Sequence, residues 1–157
     1  MKTYPKKGNR QLRKGRTSIS NAYYILTTAT DKRWPMLADD DVAQIIFDAF
    51  DWLEANERIR WECIMIMPDH IHSVIQLKSE YTIQQITHTL KRYTARQINL
   101  LLKREGRFWQ VGYHDTGIRA EKALHENIKY CYENPVRKGI VKEAKDYPYW
   151  RCKYVIE

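Results

Sequence analysis

Ile64-Met65-Ile66-Met67-Pro68-Asp69-His70-Ile71-His72-Ser73-Val74-Ile75 is two short apolar runs joined by a Pro-Asp turn, with two histidines opening the second run. Successive side chains of a strand point to opposite faces, so His70 and His72 share one face and Ile71 takes the other. The stretch therefore predicts an antiparallel hairpin with strands over 60–67 and 70–77, and two imidazoles side by side on the second strand. Neutral imidazoles at that spacing can chelate one divalent ion through a ring nitrogen each. A solvated strand face is the competing reading of any lone His-x-His pair. The apolar flanks and the turn argue for an interior strand.

Working outward, Ala22-Tyr23-Tyr24-Ile25-Leu26-Thr27-Thr28-Ala29 is rich in β-branched and aromatic residues and predicts a first strand. Asp31 to Ala38 is a loop closed by Trp34-Pro35. Asp39 or Asp40 caps a helix ending near Asn56, whose apolar positions Val42, Ile45, Ile46, Ala49, Trp52 and Leu53 follow steps of three and four. Thr82-Ile83-Gln84-Gln85 has the capping-box pattern and opens a long helix to about Lys103, terminated by Gly106. Phe108 to Asp115 is an aromatic segment leading into a fourth strand. Arg119 to Asn134 is a final helix with Leu124, Ile128 and Cys131 as its apolar stripe, stopped by Pro135. Residues 136–157 form a strapped-down extension. The order β-α-β-β-α-β predicts an α+β, ferredoxin-like (split βαβ) four-stranded antiparallel sheet with helices on one face, followed by a C-terminal helix.

A chain of 157 residues fits one domain. The expected division is a basic arm over 1–18 and a single catalytic domain over 19–157. No run approaches a membrane-spanning length and the start lacks the apolar core of a signal peptide. Three cysteines without metal-ribbon spacing suit a reduced compartment, so a cytoplasmic protein is expected. The net charge of +8 is unevenly placed: seven of 27 Lys and Arg lie in residues 1–16 with no acid, leaving 20 against 19 Asp and Glu. Residues 31–62 hold nine acids against four bases, and residues 88–107 six bases against one acid. Basic arms and basic helix faces attract polyanions by releasing counterions. Nucleic acid is the expected partner, with Lys91, Arg92 and Arg96 as phosphate contacts along one helix. Trp109, Phe108 and Tyr113 would stack unpaired bases or pack in the core, and His88 and His114 would meet phosphate or remain ordinary surface residues.

Tyr130 and Asn134, four apart on the last helix, share a face beside its apolar stripe, so neither needs to be buried. His70, His72 and Asn134 together could hold a divalent metal with Tyr130 standing beside it as a nucleophile. Tyr132 is the rival if the helix is rotated. A phenol with a pKa near 10 is a poor nucleophile unless a hard cation withdraws charge from the phosphate it attacks. Oxygen-rich donors with open positions suit Mg2+ or Mn2+, and two histidines also admit nickel or zinc.

Met67-Pro68-Asp69-His70-Ile71-His72, with Tyr130-Cys131-Tyr132-Glu133-Asn134-Pro135-Val136-Arg137-Lys138-Gly139, Phe108-Trp109-Gln110, the basic helix before it and Gly15-Arg16, resembles the single-tyrosine HUH transposases, particularly the REP-associated tyrosine transposases. The resemblance covers nearly the whole chain. It implies His70, His72 and Asn134 as metal ligands and Tyr130 as the nucleophile attacking single-stranded DNA at or near palindromic hairpins, leaving a 5′-phosphotyrosine and a free 3′-hydroxyl. It also implies that Arg10, Arg13, Lys14 and Arg16 recognise the hairpin foot, and that the protein works as a monomer rather than a homodimer. Asn134 stands where related mobile-element transposases carry the longer glutamine, which leaves Glu133 or Asp69 as alternative oxygen donors. A non-catalytic hairpin-binding module is the alternative function. A phosphodiesterase for small substrates is disfavoured by the size of the basic arm.

Overall fold

The computed structural model describes residues 18–156. The expected arm, with Arg10, Arg13, Lys14 and Arg16, lies outside the described residues. The elements are β1 (Tyr23–Ala29), α1 (Asp40–Ala55), β2 (Ile59–Ile66), β3 (His70–Leu77), α2 (Ile83–Leu102), β4 (His114–Ile118), α3 (Glu121–Arg137) and β5 (Trp150–Cys152). Short 3-10 segments occupy Asp31–Arg33 and Ala144–Asp146. The strands form one antiparallel sheet in the order β4-β1-β3-β2-β5. The first four reproduce the split βαβ arrangement, and the class expected from the sequence holds. A fifth strand adds to it, because three residues of the tail pair with the outer edge of β2, Cys63 opposite Cys152 and Met65 opposite Trp150.

Alternation on β2 and β3 divides the apolar residues between two faces. Ile64, Ile66, Ile71, Ile75 and Leu77 pack with α1 and α2 in one cluster, while Cys63, Met65, Met67 and Val74 pack with Leu124, Ile128 and Cys131 of α3 in another. The first helix pair thus covers one face and α3 the opposite one. His70 and His72 have the parity of Val74 and face α3.

Local chemistry explains the helix boundaries. The Asp39 carboxylate accepts from the backbone N–H groups of Asp41 and Val42. Thr82 and Gln85 close a full capping box, Gln85 N–H donating to Thr82 Oγ1 at 3.1 Å and Thr82 N–H to Gln85 Oε1 at 2.9 Å. Two expected ends move. The left-handed residue that ends α2 is Lys103 at φ 52°, not Gly106. The helix α3 continues through Pro135 to Arg137, with Lys138 N–H donating to the Asn134 carbonyl at 3.0 Å. Proline removes the one hydrogen bond its N–H would have made to the Cys131 carbonyl, and the helix ends two residues later. Among the described residues, no helix is long and apolar enough to cross a membrane.

Candidate functional site

The Pro68-Asp69 turn delivers His70 and His72 to the face of β3 beneath α3, their rings 4.6 Å apart and edge to face. His70 is 6% exposed. Each ring has one nitrogen engaged. His70 Nδ1 lies 2.7 Å from Asp69 Oδ1, and His72 Nδ1 lies 2.8 Å from Thr27 Oγ1 on the neighbouring strand. A carboxylate can only accept, so His70 Nδ1 carries the proton and its Nε2 keeps a lone pair. If His72 donates likewise to Thr27, both Nε2 atoms are left for a ligand. Carboxylate or hydroxyl partners on the far nitrogen are how metal-ligating histidines are oriented.

Electrostatics keeps both rings neutral. Burial above all, then His70 and the cations Arg137, Lys138 and Arg33, push His72 down to about 3. Burial also lowers His70, against the opposing pull of Asp69. Burial works against ionisation of Asp69, but its bonds and attraction to His70 and Arg33 outweigh it and hold the carboxyl below its ordinary value. Neutral imidazole is the form that binds metals.

The helix α3 lies over β2 and β3. Asn134 on it is 3% exposed, which corrects the expectation that it need not be buried. A helix resting on a sheet buries an arc wider than its apolar stripe, and Asn134 falls inside that arc next to Cys131 and Pro135. Its Nδ2 is buried without a hydrogen-bond partner among the described residues. An orphaned buried amide end is costly, and turning the amide over would place its oxygen there instead. Two imidazole nitrogens and an amide oxygen are an acceptable donor set for a hard divalent ion. Groups of three or more His, Cys, Asp or Glu able to hold a metal are absent among the described residues.

Tyr130 is 59% exposed. Arg137, on the same helical face, lies over its ring at 3.6 Å from the centroid and donates from Nη2 to the Tyr130 carbonyl at 2.7 Å. Asn134, on the same side of α3 as Tyr130 and Arg137, is 3% exposed where the helix packs on β2 and β3, the strands of the histidine hairpin. Tyr132 is half-buried, its ring 5.3 Å from that of Trp150 on β5, on a different side of α3. Glu133 is exposed, and the Asp69 carboxylate is already engaged by His70 and Arg33.

The expected nucleic-acid contacts divide. Arg92 and Arg96 are exposed one turn apart on α2. Lys91 instead turns inward, its ammonium donating to the carbonyls of Gln110 (2.7 Å) and Gly112. Trp109 is 5% exposed, and its indole N–H donates to Thr94 Oγ1 at 2.9 Å. Its face is in the core, stacked edge to face with Phe108, and it cannot receive a base without unfolding that corner. His88 and His114 are exposed.

Asp31–Trp34 has no role legible in the sequence beyond that of a loop. Lys32 and Arg33 both adopt left-handed backbone, at φ 55° and 56°. That conformation costs a residue with a Cβ about 1–2 kcal/mol. Arg33 Nε compensates by pairing with Asp69 Oδ2 at 2.9 Å. The role of Arg137 had a readable signal, since it stands seven residues from Tyr130 and so shares its face.

Residues 18–131 match the family model described as Transposase IS200 like. That span takes in His70, His72 and Tyr130 and stops short of Asn134. Over 97 residues the chain is 36% identical to a candidate REP-associated tyrosine transposase of Haemophilus influenzae, covering 55% of this chain and 54% of the relative. The chain thus spans about half the length of that relative. Among solved structures, a REP-associated tyrosine transposase bound to a REP hairpin superposes with a TM-score of 0.74, over 86% of this chain and 79% of that one, at 20% identity. A candidate transposase from Deinococcus radiodurans gives a TM-score of 0.52, over 76% and 95%, at 21% identity. At such identities the likeness is one of fold.

Proposed function

The chain belongs to the IS200-like transposase family, and from that premise we propose that it is a metal-dependent single-stranded DNA endonuclease and strand transferase, acting at or near palindromic repeat hairpins through Tyr130. The observation that carries this reading is the juxtaposition on one sheet face of two imidazoles with engaged Nδ1 atoms and a helix bearing an exposed tyrosine and an orphaned buried amide. A binding module has no use for that combination.

His70 Nε2, His72 Nε2 and Asn134 would hold Mg2+ or Mn2+, which when bound supplies the Lewis acidity that withdraws charge from the scissile phosphate. Tyr130 Oη gives up its proton and bonds to phosphorus. The bond from phosphorus to the 3′ oxygen breaks, and that oxygen leaves as a hydroxyl after taking a proton. One phosphodiester is exchanged for another, so the 5′-phosphotyrosine conserves the bond for rejoining. Arg137 fixes the tyrosine at two points, ring and carbonyl, and sets a positive charge beside the incoming phosphate. Asp69 and Thr27 orient the two imidazoles. The hairpin as substrate rests on the similarity to REP-associated tyrosine transposases, one of them solved on a REP hairpin.

The test is a denaturing gel with end-labelled single-stranded hairpin oligonucleotides and Mg2+ or Mn2+. A metal-dependent nick with label trapped on the protein, lost in Tyr130→Phe, is the expected result. Hairpin binding with no nick under any metal would leave the non-catalytic binding module instead, and an adduct persisting in Tyr130→Phe would move the nucleophile to Tyr132.

A further inference from the structure

Resting on that reading, we propose that Trp34, flanked by Arg33 and Arg104, is a nucleotide subsite that stacks one unpaired base of the DNA strand next to the phosphate at His70 and His72. Trp34 is 40% exposed, where Trp109 is buried. Its position relative to the histidine turn is fixed by a backbone bond, Thr30 N–H donating to the Asp69 carbonyl at 2.9 Å, and by short side-chain bonds around it. Thr30 Oγ1 lies 2.8 Å from the Trp34 carbonyl and 3.2 Å from the carbonyl of Asp69, the residue before His70. Leu37 N–H donates to the Pro68 carbonyl at 2.9 Å, closing the same loop on the same turn from its other end. Arg33 joins the two a third time through Asp69, whose other oxygen holds His70.

The surroundings suit a polyanion. The Arg104 guanidinium lies over the Trp34 ring at 4.6 Å from the centroid, and its own nitrogens are fixed by Asn99 Oδ1 at 2.7 Å and the Arg107 carbonyl at 3.2 Å. Lys32 and Arg33 are exposed on the left-handed turn immediately before Trp34. A flat aromatic held rigid among cations is how single strands are gripped without base pairing. Trp52 is 48% exposed and also has an arginine, Arg58, over its ring at 4.6 Å, but it sits on the acidic helix α1 beside Asp48 and Asp51, which would repel phosphates. Strained backbone persists where the surrounding contacts over-determine it, and such places cluster at ligand-binding sites.

The test measures binding by Tyr130→Phe protein, with Mg2+, to a fluorescent hairpin oligonucleotide carrying a single-stranded flank. A single abasic nucleotide is moved along the flank. At one position the affinity should fall on the order of 5- to 100-fold. Trp34→Ala added to the same protein should lose as much with the intact flank and lose nothing more with the abasic one, and Trp34→Phe should keep most of the binding. A Trp34→Ala protein that binds the intact flank undiminished, abasic and Trp34→Ala losses that simply multiply, or the lack of any sensitive position with Trp34 intact would each overturn the subsite. The last does not depend on how well the variant folds. If the Trp34-intact protein binds no hairpin at all, the transposase reading itself falls and the subsite falls with it.

Discussion

On the sheet face covered by α1 and α2, the apolar cluster has 22 buried members among the described residues. On the face covered by α3 it has nine. The richer face includes Phe50, Ile46 and Leu37, all fully buried, while the poorer one shares its space with His70, His72, Thr27 and Asn134. Burying apolar surface contributes about 25 cal/mol per Å2, and burying a polar group without a partner costs about 1–3 kcal/mol. A fold this small can tolerate desolvated imidazoles and an orphaned amide on one side because the other side supplies most of the cohesion. The two faces should therefore be separable by mutation, one setting whether the chain folds and the other whether it cuts.

The sharpest way to break that division is on the thin face. Changing His72 to Gln should cut cleavage on the order of a thousandfold, as expected when several kcal/mol of metal-derived stabilisation is lost. The thermal midpoint at pH 7.5 should change little. A large fall in melting temperature would mean that the histidines hold the fold. On the thick face, Phe50→Ala should cost about 3–5 kcal/mol in denaturant melts, and any surviving folded protein should still cleave at its usual rate. Next in size, Asp69→Asn replaces the carboxylate at His70 Nδ1 and should weaken Mn2+ binding about 10- to 100-fold, read by titration calorimetry. Unchanged affinity would deny the orienting role of Asp69.

A pH series sharpens the comparison further. His72 folds with its pKa near 3 and His70 with a lowered one, so below the unfolded value of about 6.5 the unfolded chain binds more protons than the folded one. Metal-free protein should hold constant stability from these groups above that pH and lose it progressively as pH falls toward about 3. His72→Gln should reduce the slope to the part that His70 contributes, and an unchanged slope would assign it to other groups. The smallest expected effect separates neighbours on α2. Lys91→Gln should cost stability by about 1 kcal/mol, because it deletes donors to the 110–112 loop. Arg92→Gln should leave stability unchanged and flatten the salt dependence of single-strand binding by about 0.7 in the log–log slope. An exchange of the two phenotypes would reverse their assignments.

The thick face was legible because its signals are periodic: α1 alternates in threes and fours, α2 opens on a capping box, and β3 begins at His70 as its alternation demands. The His pair and the Tyr130–Asn134 spacing were legible for the same reason. What could not be read were depths and partners. Nothing in a helical wheel says how wide an arc a sheet will cover, so Asn134 and the extension through Pro135 came out wrong. Trp109 and Lys91 have side chains that suit either a core or a phosphate, and the choice depended on Thr94 and on the carbonyls of a loop 20 residues away. β5 has only three residues and no periodicity, and exists because the edge of β2 offers it hydrogen bonds.

That late strand has a consequence for the order of synthesis. Tyr147 buries its hydroxyl on the Ile66 carbonyl at 2.5 Å, Ile66 N–H donates to the Tyr149 carbonyl at 2.9 Å, and Trp150 to Cys152 complete the edge of β2. All three contacts belong to residues made after His70, His72, Tyr130 and Asn134. A chain emerging from the ribosome folds N-terminal parts first, at roughly 5–20 residues per second. A nascent chain that has extruded α3 still has the end of β2, next to the histidine turn, unclosed. The candidate cutting residues are thus translated before the strand that closes the β2 edge, and that edge is complete only once Cys152 has left the ribosome.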